Sequence, residues 1–161
     1  MASTKHKAGF TLIELIMILV LIGIIATAIV PKFTAVRETK AATFTMKLRA
    51  DIRYAQNLAM TRNARYRVYF NSAPAPNPGY AVTDNGGAIV TDPAGGGNLS
   101  VTLNAGDYAG ITVAAPYIFI QFDSLGRPYN NAGTLLAAAA DLTVSPGPVT
   151  VSISPQTGAV N

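Results

Sequence analysis

Cysteine is absent from the 161-residue chain. That excludes disulfides, thiolate metal sites and a cysteine nucleophile, so a small domain here must hold together by burial alone. Histidine occurs once, at His6, which leaves no imidazole base beyond the first residues. Glutamate occurs only at Glu14 and Glu38. Asp84, Asp92, Asp107, Asp123 and Asp141 are scattered rather than paired at catalytic spacing. Nothing marks a Ser–Lys pair built on Lys32, Lys40 or Lys47. No enzyme is expected. Charge of either sign is scarce, at 12% of residues, against about 25% in ordinary soluble proteins.

Metal ligation is equally thin. Asp84-Asn85-Gly86-Gly87 and Asp92 offer oxygen ligands, but EF-hand spacing is absent. Asp and Asn beside Gly are turn formers, so neither a metal nor a cofactor is expected. The net charge of +4 is uneven. Residues 32–62 hold seven bases and two acids, whereas residues 63–161 hold three arginines and five aspartates. The basic balance belongs to the first third of the chain.

What is present in quantity is apolar. Phe10–Val30 is an almost unbroken hydrophobic run of 21 residues, about 32 Å as a helix and long enough to span a bilayer core. A secretory signal would be shorter and followed by a small-residue cleavage site. Pro31 closes the run, because proline removes a backbone donor and kinks or ends a helix. The pattern nevertheless stays helical. Phe33, Val36 and Ala41 begin an apolar stripe that Phe44, Leu48, Ile52, Ala55 and Ala59 continue at spacings of three and four. The expectation is one helix over about 11–62, bent near Pro31, with an amphipathic second half.

That second half needs a surface to cover. RYRVYF (65–70) and LSVTL (99–103) alternate as half-buried strands do. YIFIQF (117–122) is apolar nearly throughout, as a strand covered on both faces would be. LTV (142–144) and VTVSI (149–153) flank the tight connection Pro146-Gly147-Pro148. SAPAPNPG (72–79), DNGG (84–87) and DPAGGG (92–97) read as loops, and the alanines at 137–140 as a helical turn or a loop. The expected fold class is α+β. A long N-terminal helix, transmembrane in its first half, packs its second half on an antiparallel β-sheet domain.

Glu14 is the one acid within the apolar run. Thr11-Leu12-Ile13-Glu14 fits a capping box, and a carboxylate suits the positive end of a helix. Against that stands a cost on the order of 2–3 kcal/mol for an acid deep in a bilayer, which favours a partner. Lys5 and Lys7 are candidates. If the chain is cut after Gly9, the new α-amine of Phe10 is another, four residues from Glu14 and on the same helix face. In a stack of such helices, Glu14 of one subunit would meet the amine of its neighbour and so select an axial register.

Lys7-Ala8-Gly9-Phe10-Thr11-Leu12-Ile13-Glu14, with its short basic leader and following apolar run, resembles the processing motif of type IV pilins and type II secretion pseudopilins. The resemblance covers roughly residues 5–31. It implies cleavage between Gly9 and Phe10 by a prepilin peptidase, N-methylation of Phe10, and pairing of Glu14 with an adjacent subunit during assembly. Gly23 and Pro31 match helix-weakening positions of that family. DIRYAQNLAMTRNARYRVYF (51–70), QFDSLGRP (121–128) and SISPQTGAV (152–160) are similar to the pseudopilin-H/FimT-type minor subunits. Many major pilins close their C-terminal region with a disulfide, and this chain has no cysteine to do so.

The resemblance divides the chain into a cleaved cytoplasmic leader (1–9), a transmembrane helix (10–30), its amphipathic continuation (31–62) and a periplasmic β-rich domain (63–161). Lysines and arginines lie on both sides of the run, so charge alone does not set orientation. The resemblance places the leader in the cytoplasm and the domain in the periplasm. The implied partners are the peptidase, other pilin or pseudopilin subunits, an inner-membrane assembly platform and the bilayer. The alternative is a FimT-type minor pilin that binds DNA for uptake. Arg49 and Arg53 share a helix face, Arg62, Arg65 and Arg67 cluster near its end, and Tyr54, Tyr66 and Tyr69 are nearby; such residues grip phosphates and stack bases. The competing explanation makes Arg65 and Arg67 the solvent face of an edge strand, where charge discourages aggregation. Nucleic acid is accordingly not the expected partner.

Overall fold

The computed structural model describes residues 10–147 and 149–161, without the side chains of residues 28–35. The leader, and with it Gly9, lies outside the described residues, as does the side chain of Pro31, where a bend was expected. One helix, α1 (Leu12–Thr61), is followed by β1 (Tyr66–Phe70), β2 (Gly79–Thr83), β3 (Ser100–Thr102), a short 3-10 turn (Gly106–Tyr108), β4 (Thr112–Ala114), β5 (Phe119–Phe122), β6 (Pro128–Tyr129), β7 (Ala140–Ser145) and β8 (Val149–Ile153). The chain divides into two units, one ending at Val36 and the other running from Arg37 to Asn161. The α+β expectation holds.

In the first unit every described side chain from Phe10 to Thr27 is exposed. Leu12, Ile13, Leu15, Ile16, Met17, Ile18 and their successors thus present apolar surface around the whole circumference of the helix. A helix apolar all round is one that lies buried in other protein or in lipid. The one hydroxyl deep in this stretch is internally satisfied: Thr27 Oγ1 donates to the Ile24 carbonyl at 2.8 Å. Among the described residues, no helix is long and apolar enough to cross a membrane.

In the second unit the helix is amphipathic as its spacing predicts. Ala41, Phe44, Leu48, Ile52, Ala55 and Ala59 are fully buried. Among the described side chains the buried stripe begins at Ala41, since Val36 is exposed, and the Phe33 side chain lies outside them. These side chains share one core cluster with Val68, Tyr80, Val82, Ile120 and Phe122 from one sheet and Val113, Leu142, Val144, Val151 and Ile153 from another. The first sheet has five strands in the order β3-β2-β1-β5-β6, and the second has three in the order β4-β7-β8. Neighbouring strands are antiparallel throughout.

Strand β1 is not an edge. It pairs with β2 on one side, Val68 opposite Val82, and with β5 on the other, Val68 opposite Ile120. Arg67 therefore sits in the middle of a sheet. It is tolerated there because its guanidinium is spent on neighbours: Nε donates to Gln121 Oε1 at 2.8 Å, and the group lies over the Phe119 ring at 5.6 Å. Asn71, with φ +49, joins the two sheets. Its Oδ1 accepts from Gly79 N–H at 2.9 Å while its Nδ2 donates to the Val113 carbonyl at 2.8 Å. Ala140 opens β7, and the preceding alanines are a loop.

Candidate functional site

Two regions carry the residues singled out from sequence, one in each unit. In the first, Thr11 precedes the helix and caps it. Its Oγ1 accepts the Glu14 N–H at 3.3 Å, and its carbonyl accepts the Leu15 N–H at 3.2 Å. This satisfies one of the four donors that a helix start leaves open. Only half of the capping box forms: the Thr11 hydroxyl takes the Glu14 N–H, but the Glu14 carboxylate does not take the Thr11 N–H. Among the described residues, the Glu14 carboxylate has neither a hydrogen bond nor a salt bridge, and it is exposed. The acid is thus spare with respect to its own helix. Phe10, just before the cap, is 76% exposed. Gly23 lies further along the same helix, and a Cβ added there would meet nothing within 4 Å. Among the described residues nothing packs against that position, and glycine inside a helix costs about 1 kcal/mol relative to Ala.

In the second unit, the five arginines considered for nucleic acid separate into two groups. Arg49 Nη2 donates to the Thr150 carbonyl at 3.2 Å, and Arg53 Nη2 donates to the Val160 carbonyl at 2.6 Å. Both therefore tie the helix to the C-terminal strand region. Arg67 is engaged by Gln121 and Phe119 as described. Arg62 and Arg65 are exposed, as is Arg53, and Arg65 rests over the Tyr129 ring at 5.8 Å. Arg65, Arg127, Asn63, Asn85, Ser124 and Tyr129 line a polar cleft of about 440 Å³, and Arg62 lines a separate one of about 200 Å³ with Asp84 and Tyr54. The structure does not gather the five arginines into a single cationic track.

Sequence reasoning missed the polar contacts that fix this domain. Tyr80 is buried on β2, and its hydroxyl donates to Asp51 Oδ2 of the helix at 2.6 Å. Lys47 Nζ reaches the same oxygen at 3.0 Å and Asp92 at 3.7 Å. Burial, with the Asp51 carboxylate beside it, pushes the Tyr80 phenol far above the ordinary tyrosine range. Burial works against the Lys47 charge, but its bond and attraction to Asp51 prevail and raise its pKa. Asp123 organises the turn between β5 and β6. Its Oδ1 accepts from the N–H groups of Leu125 and Arg127, and its Oδ2 from the Arg127 guanidinium and the Tyr129 hydroxyl. Burial alone would raise the Asp123 pKa, but these donors outweigh it and hold the carboxyl below the usual range. The Asp-x-x-Gly spacing of residues 123–126 was the available signal for that turn. Nothing local signalled the Tyr80–Asp51 pair.

Among the described residues, no group of His, Asp and Glu is placed to hold a metal ion. The acidic turns at 84–88 and 92–97 spend carboxylate oxygens on the N–H groups of Ala88 and Ala94.

Residues 4–30 match a family model described as the prokaryotic N-terminal methylation motif. No curated protein matches the chain. Two crystal structures of the type IV minor pilin FimU from Pseudomonas aeruginosa are similar. One shares 15% identity over 77% of this chain and 90% of its own, with a TM-score of 0.46. The other shares 16% identity over 77% of this chain and 85% of its own, with a TM-score of 0.47.

Proposed function

We propose, for a type IV pilin-like chain that carries the N-terminal methylation motif, that it is a minor pilin or pseudopilin subunit of a bacterial envelope filament. The match over residues 4–30 carries this proposal. In it, a prepilin peptidase cuts between Gly9 and Phe10 and methylates the new Phe10 amine. The apolar helix 10–30 anchors the subunit in the inner membrane, with the β-rich domain in the periplasm. The exposed apolar circumference of Phe10–Thr27 supports this, since such a surface requires lipid or neighbouring helices around it. Glu14 supplies the register. Its carboxylate is free of its own helix cap, so it is available to the methylated amine of the adjacent subunit, and pairing at low dielectric favours one axial stagger. Gly23 and Pro31 let the helix loosen within the filament. No cofactor enters, and the energy for assembly comes from a separate ATPase on the assembly platform. The filament is a type II secretion pseudopilus or a type IV pilus, and the same N-terminal physics serves both.

The test is a pair of substitutions at the cleavage site, read by the size of the membrane-extracted chain in cells with an active prepilin peptidase. Gly9→Ala is expected to be processed, and Gly9→Leu to accumulate as precursor. Equal processing of both variants, or none in the unaltered chain, contradicts the proposal. DNA uptake is not favoured, because Arg49, Arg53 and Arg67 are committed to partners within the fold.

A further inference from the structure

Asn85-Gly86 is the one Asn-Gly step in the chain, and it sits in the exposed turn after β2. Two features set it apart from a generic turn. Among the described residues no acceptor takes the Gly86 N–H, whereas the two amides that follow it are used: Gly87 N–H donates to the Asp84 carbonyl at 3.2 Å and Ala88 N–H to Asp84 Oδ1 at 2.9 Å. The second feature is Arg67, whose guanidinium fork reaches Asn85 at two points. Nη2 lies 3.4 Å from Asn85 Oδ1 and Nη1 lies 3.5 Å from its carbonyl oxygen. Arg67 is itself held, with Nε on Gln121 at 2.8 Å. A fixed cation thus faces the side-chain carbonyl whose carbon is the electrophile, while the adjacent backbone nitrogen is uncommitted.

We infer that Asn85 is a site of autocatalytic covalent modification, converting to aspartate and isoaspartate, with Arg67 as the positioning residue. The Gly86 nitrogen attacks Asn85 Cγ and gives up its proton to solvent. A new C–N bond closes a five-membered imide, and the side-chain amide nitrogen leaves as ammonia. Water then adds to either imide carbonyl, and breakage of that C–N bond yields a carboxylate. The net change is amide plus water to carboxylate plus ammonium, with no redox partner. Arg67 polarises the Cγ carbonyl during attack and afterwards faces a carboxylate, so a contact between a cation and a neutral amide becomes a cation–carboxylate pair. The formal net charge falls by one from +4. Asn85 lines the polar cleft with Arg65, Arg127 and Asp123, so the modification replaces an amide donor with an anion there.

The test is peptide mapping of the full chain, purified in detergent and incubated at mildly alkaline pH, alongside Arg67→Gln and Gly86→Ala. Gly86 has no positive φ, and a Cβ there would lie 3.3 Å from Asp84 Oδ1, the end of a side chain that must give by a few tenths of an ångström. The folded unaltered chain is expected to gain the amide-to-acid mass increment at Asn85, with isoaspartate among the products. Gly86→Ala should lose most of the conversion. Arg67→Gln should convert more slowly than the unaltered chain when folded, and at the same rate when both are unfolded in urea. An Asn85 that stays intact in the folded chain, or equal folded rates with and without Arg67, overturns the inference.

Discussion

Thr11 and Glu14 share one hydrogen bond, and it runs from the Glu14 backbone N–H to the Thr11 hydroxyl at 3.3 Å. The carboxylate takes no part. The cap therefore does not depend on the carboxylate, which leaves the proposed assembly role of Glu14 open to separate test. Glu14→Ala keeps the cap bond, so helix formation, membrane insertion and processing are expected to survive while incorporation into filaments falls sharply. Thr11→Ala removes the cap and is expected to cost about 1 kcal/mol of helix stability. Subunit content of sheared filaments, set against the processed pool in the membrane, distinguishes the two.

Tyr80→Phe deletes the hydroxyl that Asp51 accepts. A bond to a charged group is worth about 1.5–3 kcal/mol, and that loss is expected in denaturant unfolding at neutral pH. A second signature lies in alkali. The Tyr80 pKa is raised in the fold, so above about pH 10, the ordinary tyrosine value, the unfolded chain releases a proton that the folded chain keeps. Stability falls as pH rises there, and the Tyr80→Phe variant should lack that part of the fall.

Gly158 and Gly126 lie against each other under Gln56. Gln56 Nε2 donates to the Gly126 carbonyl at 2.8 Å and to the Thr157 carbonyl at 3.0 Å, pinning two loops to the helix. A Cβ at Gly158 would collide with the Gly126 carbonyl oxygen and the Gln56 amide, and its φ is +68. Gly158→Ala is expected to lower stability by about 1–3 kcal/mol, measured by thermal or urea unfolding. Gly133→Ala has a similar φ but open space around it, and should cost less.

Asp123 gives the acid-side counterpart. Its folded pKa lies below the ordinary aspartate value, so it stabilises the fold at neutral pH. As pH falls below about 4, the unfolded chain takes up a proton that the folded chain resists, and this stabilisation is lost. Asp123→Asn is expected to be less stable than the unaltered chain at pH 7, with the gap narrowing as the solution is acidified. A gap that does not change with pH would show that the turn is held by shape alone.

The parts legible in sequence were those with a local period or a local motif. Phe44, Leu48, Ile52, Ala55 and Ala59 announced the buried helix face, because spacings of three and four leave few alternatives. The strand VTVSI was placed at its observed bounds. Strand β2 was not read, since GYAVT is buried at every position and shows no alternation. Strand β4 has three residues and no pattern to read. The central place of β1 was hidden by Arg67, whose charge suggests an edge until its cross-strand partners Gln121 and Phe119 are known. Such pairings join residues far apart in the chain, and composition does not encode them. The same holds for Arg49 and Arg53, whose helix-face spacing was plain but whose carbonyl partners on the C-terminal strand region were not.

The most direct measurement is the intact mass of the subunit extracted from its native membranes. A mass lacking residues 1–9 and carrying one added methyl group is the expected result. A full-length, unmethylated chain from cells with an active peptidase would contradict a pilin-type subunit and leave Glu14 without an assembly role.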